Sequence, residues 1–305
     1  MKTAGGLAAL SAILVACGVA PATPLVSPTS APLVYVATPT VPPTPPSPTP
    51  EPSRTPTPTP VVCNETGGRL IETSYPGAIL PREIPLEVYL PPCYDAANED
   101  YPSVILLHGK PFTQSHWDDL GADELVDEGI RREGWPPFIL IMPLQPEPLF
   151  SQTDGGPGSY EDEVMLGLLP FIEKTFRTQR STAGRAIAGI SRGGVWALEI
   201  AFRNPEVFGE VAALSPALAV NYARSAYNPL EIARLGAQAI PPRIYLGAGE
   251  TDWARLKTVD LTEALEAHGE TPVFESVVGG HESGTWQALM PGMFMYLTSA
   301  WPALP

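Results

Sequence analysis

Residues 185–203 read RAIAGISRGGVWALEIAFR, and the conformation of this stretch decides how the rest of the chain is interpreted. Five small or β-branched residues, Ala186–Ile190, form a strand-like run. Gly194–Phe202 carries apolar residues at helical spacing. Between the two stands Ser191, flanked at two residues on each side by Gly189 and Gly193. Ser and Gly also build plain turns, and a G-x-S-x-G match alone is weak. With a strand before it and a helix after it, the pattern points to a sharp elbow that projects a serine hydroxyl from the end of a sheet.

The surrounding sequence has the same rhythm. PSVILLHG (102–109), PPFILIMP (136–143), GEVAALS (209–215), PRIYLGAG (242–249) and PVFESVVGG (272–280) are short apolar runs ending in Gly, Pro or Ser. Runs without strict alternation suit strands buried on both faces. ILPREIPLEVYLPP (79–92) reads instead as antiparallel strand, with Val88 and Leu90 on one face. Helical stretches lie between the runs. SYEDEVMLGLLPFIEKTF (159–176) has Ser159 followed by Asp162, a capping-box spacing, and VDLTEALEAHG (259–269) closes on Gly269. The alternation predicts an α/β fold with a mostly parallel central sheet flanked by helices and no large lid domain.

A chain of 305 residues with 44% hydrophobic residues is long enough for one large core. Its formal net charge of -15 argues against nucleic acid as a partner, because phosphate binding calls for Lys and Arg. Residues 1–18, MKTAGGLAALSAILVACG, combine one Lys, a short apolar run and a small residue before Cys17. The run is too short to span a bilayer and reads as an export signal. Leu14-Val15-Ala16-Cys17 resembles a bacterial lipobox, which implies a lipoprotein signal peptide over 1–16 and a lipidated Cys17 held in the cell envelope or at the cell surface. Residues 17–62 are rich in Pro and Thr and lack the apolar surface that folding requires, so they are expected to form an extended linker. The catalytic domain is then expected over 63–305. Its two cysteines, Cys63 and Cys93, are expected to pair, because disulfides persist outside the cytosol.

A serine hydroxyl needs a base to take its proton and a third group to orient that base. The chain has four histidines, His108, His116, His268 and His281. On a strand–serine–helix elbow the chain order is Ser, acid, His, which excludes His108 and His116 as the base. His268 lies near a helix end and reads as a surface residue. His281 follows a strand and the pair Gly279-Gly280, on a loop of the kind where sites form in such sheets. The acid is Asp252 or Glu250, both just beyond PRIYLGAG, with Asp252 favoured because Glu250 would have to turn sharply. The backbone N–H groups of Arg192 and Lys110 are the candidate oxyanion donors, with His108 shaping the Lys110 loop. Trp117, Phe150, Trp253 and Trp286 are candidate pocket residues that could stack on a phenolic or sugar ring. No cluster of residues suggests a metal, and no cofactor is expected.

VYLPPCYD (88–95), YPSVILLHG (101–109), FILIMP (138–143), LLPFIEKTF (168–176), RAIAGISRGG (185–194), YLGAGETD (245–252) and GGHESGTW (279–286) together resemble one family. It comprises the α/β-hydrolase esterases related to esterase D, bacterial feruloyl esterases, enterochelin esterases and mycolyltransferases. The resemblance covers about residues 84–301. It implies an α/β-hydrolase fold with Ser191, Asp252 and His281 as nucleophile, acid and base, and the Gly109-Lys110 turn as oxyanion loop. Some members use Glu as the acid, which keeps Glu250 open. Two stretches depart from the pattern: Lys110-Pro111 in LLHGKPFTQSHW (106–117), where small residues are usual, and QPEPLFSQTDGGPGSYED (145–162). The function implied is ester hydrolysis through an acyl-enzyme, on feruloyl or sugar-linked small-molecule esters. An acyltransferase on the same residues, a binding protein on a hydrolase fold and a serine peptidase are the alternatives.

Overall fold

A computed structural model describes residues 63–302 apart from 237–240 and 242. The expected signal peptide over 1–16, Cys17 and the expected linker over 17–62 lie outside the described residues.

Among the described residues eight strands form one sheet: β1 (Arg69–Pro76), β2 (Glu83–Leu90), β3 (Ser103–Leu107), β4 (Ile139–Pro143), β5 (Arg185–Ile190), β6 (Glu210–Leu214), β7 (Arg243–Gly249) and β8 (Val273–Val277). Their spatial order is β1-β2-β4-β3-β5-β6-β7-β8. β1, β2 and β4 pair antiparallel, and every pair from β4 to β8 is parallel. The helices are α1 (His116–Asp119), α2 (Ala122–Glu128), α3 (Tyr160–Asp162), α4 (Leu169–Thr175), α5 (Arg192–Arg203), α6 (Pro229–Leu235), α7 (Arg255–Glu266) and α8 (Ser283–Thr298).

The apolar runs are apolar throughout because both faces of the sheet are covered. Along β3, Ile105 and Leu107 join one core, packed with Val195 and Leu198 of α5 and Leu261 of α7. Val104 and Leu106 join the other, with Trp117 and with Leu289, Met293 and Phe294 of α8. β5 divides in the same way, Ile187 to the first and Ala186, Ala188 and Ile190 to the second. The expected mostly parallel α/β architecture therefore stands, and no separate lid domain is present among the described residues.

Two local expectations need correction. β1 was not read from the sequence: RLIETSYP has polar residues on its outer positions and, as an edge strand, presents little apolar surface. The helix expected over 159–176 is broken into α3, a wide π-helical segment at Glu163–Leu168, and α4. Pro170 has no N–H to continue the α-helical ladder, which accounts for the interruption beside it. Ser159 does cap the segment, accepting the Glu161 N–H at 3.1 Å, but Asp162 accepts from Gly158 N rather than closing a box on Ser159.

Cys63 and Cys93 are joined, 30 residues apart in sequence. The bond ties the chain before β1 to the end of β2, and the Glu65 carboxylate adds a hydrogen bond from the Cys93 N–H at 2.7 Å. Closing a loop of this length removes freedom from the unfolded chain, so reduction is expected to cost about 3 kcal/mol. The check is thermal unfolding with and without a strong reductant. An unchanged midpoint would mean that the bridge adds nothing to stability.

Candidate active site

Five loops at the carboxyl ends of the parallel strands build the site: those after β3, β5, β6, β7 and β8. Ser191 follows β5 directly, with φ 54° and ψ −114°. This is a strained conformation for a residue with a side chain. It is held by backbone bonds on three sides: the Ser191 N–H donates to Leu214 O, and Ser191 O accepts from Val195 N and Ala217 N. The glycines make the turn sterically feasible. A Cβ on Gly189 would lie 2.2 Å from the Gly193 oxygen, and a Cβ on Gly193 would lie 2.4 Å from the oxygens of Leu107 and His108. The elbow therefore closes against β3 only because both positions lack side chains.

His281, beyond β8, places Nε2 2.9 Å from Ser191 Oγ and Nδ1 2.9 Å from Asp252 Oδ1. Asp252 lies beyond β7, and its Oδ1 also accepts the Ala254 N–H at 2.8 Å. Burial pushes the Asp252 carboxyl up, but the hydrogen bonds from His281 and the Ala254 N–H, together with the nearby Ser215 hydroxyl, outweigh it and hold the group below the usual carboxylate range. Glu250 is exposed, and its backbone N–H pairs with Val277 O at 2.8 Å while its carboxylate points to no described partner. The structure thus brings Ser191, His281 and Asp252 together and leaves Glu250 outside. His268 is exposed, with Nε2 2.9 Å from the Arg234 carbonyl.

The Gly109-Lys110 turn packs directly on the elbow: a Cβ on Gly109 would stand 3.4 Å from the Ser191 Cβ. The Arg192 N–H is the first of α5, where an amide has no partner within its own helix. The Lys110 N–H is without a hydrogen bond among the described residues. Two buried histidines brace this turn. His108 Nε2 accepts the Gln145 N–H at 2.9 Å, which assigns its proton to Nδ1, 3.0 Å from the Gly109 carbonyl. His116 Nδ1 accepts the Gly109 N–H at 3.3 Å. Burial lowers both rings to about 4, so both are neutral supports and not bases in the neutral range.

Of the four pocket candidates, Phe150 sits edge-on to His108 at 4.9 Å and also lines a cleft beside Lys110. Trp253 is 49% exposed and lies 4.4 Å from the His281 ring, beside the reacting atoms. Trp286 is buried, edge-on to both His281 and His116. Trp117 requires correction. It is fully buried in the core between α8 and the sheet and reaches no open cavity.

Two residues of the site escaped the sequence reading. Ser215 directly follows β6 with φ 50° and no exposure, and its hydroxyl helps lower the Asp252 carboxyl, although it makes no hydrogen bond of ordinary geometry among the described residues. Only its neighbours in space give it a role; the Ser-Pro pair in sequence reads as a turn. Glu199, on the buried face of the elbow helix, accepts the Gly155 N–H at 2.6 Å and so fastens the 145–162 segment to α5. Burial pushes Glu199 up to about 9, against the lowering effects of that N–H and of Arg192. Folding therefore gives this carboxyl a proton. Its contribution is fully present below the ordinary carboxylate value and is lost as pH rises toward about 9. Glu199→Gln, which keeps the shape without the charge, is expected to flatten the fall of the unfolding midpoint between mildly acidic pH and about 9. Parallel melting curves for the two proteins would disprove this.

Among the described residues one grouping has the composition of a metal site, Cys63, Glu65 and Cys93, but its sulfurs are bonded to each other and are not thiolates.

Residues 77–297 match the Esterase family, described as "Putative esterase". An endo-1,4-beta-xylanase/feruloyl esterase of Xylanibacter ruminicola is 29% identical over 216 residues, covering 68% of this chain and 28% of that protein. An esterase of Mycobacterium tuberculosis is 34% identical over 124 residues, covering 38% of this chain and 25% of that protein. The chain thus spans only about a quarter of the length of these curated relatives. Among solved structures, a ferulic acid esterase superposes with a TM-score of 0.69 at 21% identity, covering 77% of this chain and 99% of that one. The S-formylglutathione hydrolase of Staphylococcus aureus superposes with a TM-score of 0.64 at 16% identity, covering 76% and 99%. These two likenesses establish the α/β-hydrolase fold.

Proposed function

The chain belongs to the Esterase family, and from that premise we propose that it is a serine carboxylic ester hydrolase. The observation that carries the proposal is the continuous chain from Ser191 Oγ through His281 to Asp252, at 2.9 Å for each link. His281 Nε2 takes the Ser191 proton as Oγ attacks the ester carbonyl. Asp252 fixes the tautomer and stabilises the imidazolium. The Arg192 and Lys110 N–H groups receive the oxyanion. His281 returns the proton to the leaving alcohol, and water releases the acyl group by the same route in reverse. Feruloyl or sugar-linked esters are the proposed substrates. The feruloyl and ferulic acid esterases among the relatives and the exposed ring of Trp253 beside His281 support that choice.

The test is hydrolysis of p-nitrophenyl acetate and butyrate, followed by a panel of methyl ferulate and acetylated sugars. A folded protein inert to all of them would leave the binding-protein reading. Capture of the acyl group by an added alcohol in preference to water would make the protein an acyltransferase.

The proposed location is the cell envelope, with lipidated Cys17 in the bilayer and 17–62 as a stalk. The support is the apolar run ending at Leu14-Val15-Ala16-Cys17. Cys17→Ser is expected to move the protein from the membrane fraction to the soluble fraction of its host; retention with membranes would remove the anchor.

A further inference from the structure

The two stretches that depart from the esterase pattern meet in space. Lys110 Nζ donates to Glu147 Oε1 at 3.1 Å and to Ser151 Oγ at 2.8 Å, and Ser151 Oγ donates to the same Glu147 oxygen at 2.7 Å. The ammonium lies 5.8 Å from the centroid of the Phe150 ring. A third wall comes from the turn between β1 and β2, where Arg82 Nη2 donates to the Glu147 carbonyl at 3.2 Å. That turn is anchored from below. The fully buried Glu163 carboxylate accepts the N–H groups of Ala78, Ile79 and Leu80 at 3.0, 2.8 and 3.3 Å.

These walls enclose a cleft of about 290 Å³, with Phe112 and Phe150 as apolar sides. Lys110 lines the cleft and directly follows Gly109, which packs on Ser191, so the cleft adjoins the turn that carries the candidate oxyanion donor.

The balance of charge here runs against that of the chain. The protein carries 33 acidic against 18 basic residues, yet the cleft holds two cations and one anion. Glu147 is engaged by Lys110, and although burial acts to raise its carboxyl, the Ser151 and Lys110 contacts hold it below the usual range. Arg82 spends its bond on a carbonyl and has no carboxylate partner among the described residues. Glu83, next to it in the chain, is turned to Ser74 across the hairpin at 2.8 Å. One guanidinium charge is left uncompensated at the mouth of an apolar-walled cleft. Its planar donors match a carboxylate.

We propose that this cleft is a subsite for a carboxylate carried by the ester substrate, with Arg82 as the group that binds it and the Lys110–Glu147 pair as its wall. The substrate class is an ester bearing a free carboxylate on its acyl or its alcohol part, as in a monoester of a dicarboxylic acid or an ester of an acidic alcohol. The inference rests on Ser191 as the nucleophile and adds a charge preference that the triad itself does not have.

Two matched pairs of esters test it in the full chain. On the acyl side the pair is p-nitrophenyl hemiglutarate against its glutaramate. On the alcohol side it is 4-carboxyphenyl acetate against 4-carbamoylphenyl acetate. In one pair the carboxylate member is expected to have a kcat/KM about tenfold higher at low salt, through KM, with the advantage shrinking as ionic strength rises. Arg82→Gln is expected to bring that ratio to about one, and Arg82→Lys to restore part of it. The pair that responds identifies which side of the ester enters the cleft. Equal rates within both pairs, or a ratio that survives Arg82→Gln, would overturn the subsite. Lack of turnover of all four esters would instead overturn the hydrolase reading. Calorimetric titration with glutarate monoamide then decides the subsite separately: binding lost in Arg82→Gln upholds it, and binding unchanged or absent in the parent overturns it.

Discussion

Ser191→Ala is expected to lower kcat for p-nitrophenyl acetate by a factor of about 10⁵–10⁶ while leaving the unfolding midpoint where it was. The hydroxyl is the only atom removed. Its partner is His281 Nε2 at 2.9 Å, and the backbone bonds that hold the elbow, to Leu214, Val195 and Ala217, do not involve it. Alanine therefore inherits the same strained φ of 54° from the same restraints. The oxyanion donors and the binding surface remain, so a residual acceleration of about 10³ over water is expected, with KM little changed. A variant that keeps more than about a tenth of the parent rate would mean that the nucleophile lies elsewhere, because no other group can replace an attacking oxygen at this cost.

The second large effect separates two neighbouring carboxylates. Asp252→Asn is expected to reduce kcat by about 10⁴, and Glu250→Gln to change it by less than about twofold. Asparagine fills the same space and can still accept the Ala254 N–H. Turned the other way it presents its N–H₂ to His281 Nδ1 and gives up that bond, because both partners meet the same Oδ1, and this favours the tautomer whose proton sits on Nε2, where it blocks transfer from Ser191. The charge matters as well. Burial works to raise the Asp252 carboxyl, yet the bonds from His281 and Ala254 and the nearby Ser215 hydroxyl prevail and keep it depressed. A depressed acid contributes to the folded state above its ordinary value, and that contribution is lost as pH falls through the depressed one. The carboxylate is thus ionised throughout the neutral range. Steady-state kinetics of the two variants decide the matter, and a large loss in Glu250→Gln with none in Asp252→Asn would reverse the assignment.

The parallel strands β3 to β7 were legible because each is buried on both faces and carries its signal locally, and the edge strand β8 because its run ends in Gly279-Gly280. β3, β4, β5, β6, β7 and β8 all fall on the runs read from the sequence. β1 was not legible, because an edge strand with one solvated face has a weak pattern. The π-helical turns before Pro170 were hidden for a different reason: local periodicity predicts a helix but not how its ladder is rerouted around a missing donor. Aromatic pocket residues were the least legible. Trp117, Phe150, Trp253 and Trp286 are alike in composition and in closeness to motifs, yet one is deep in the core, two are buried beside site histidines and one is half exposed.

The sequence by itself determined the elbow, the order serine, acid, histidine and the sheet that carries them, because strand burial, glycine spacing and turn chemistry are properties of a few adjacent residues. Only the tertiary structure decided which of Asp252 and Glu250 meets His281, that Ser215 stands behind the acid, and that Arg82, Lys110 and Glu147 share one cleft. Those residues are brought together from separate strand ends and turns. Their proximity follows from strand order and loop packing across the whole sheet, which no short stretch of chain encodes.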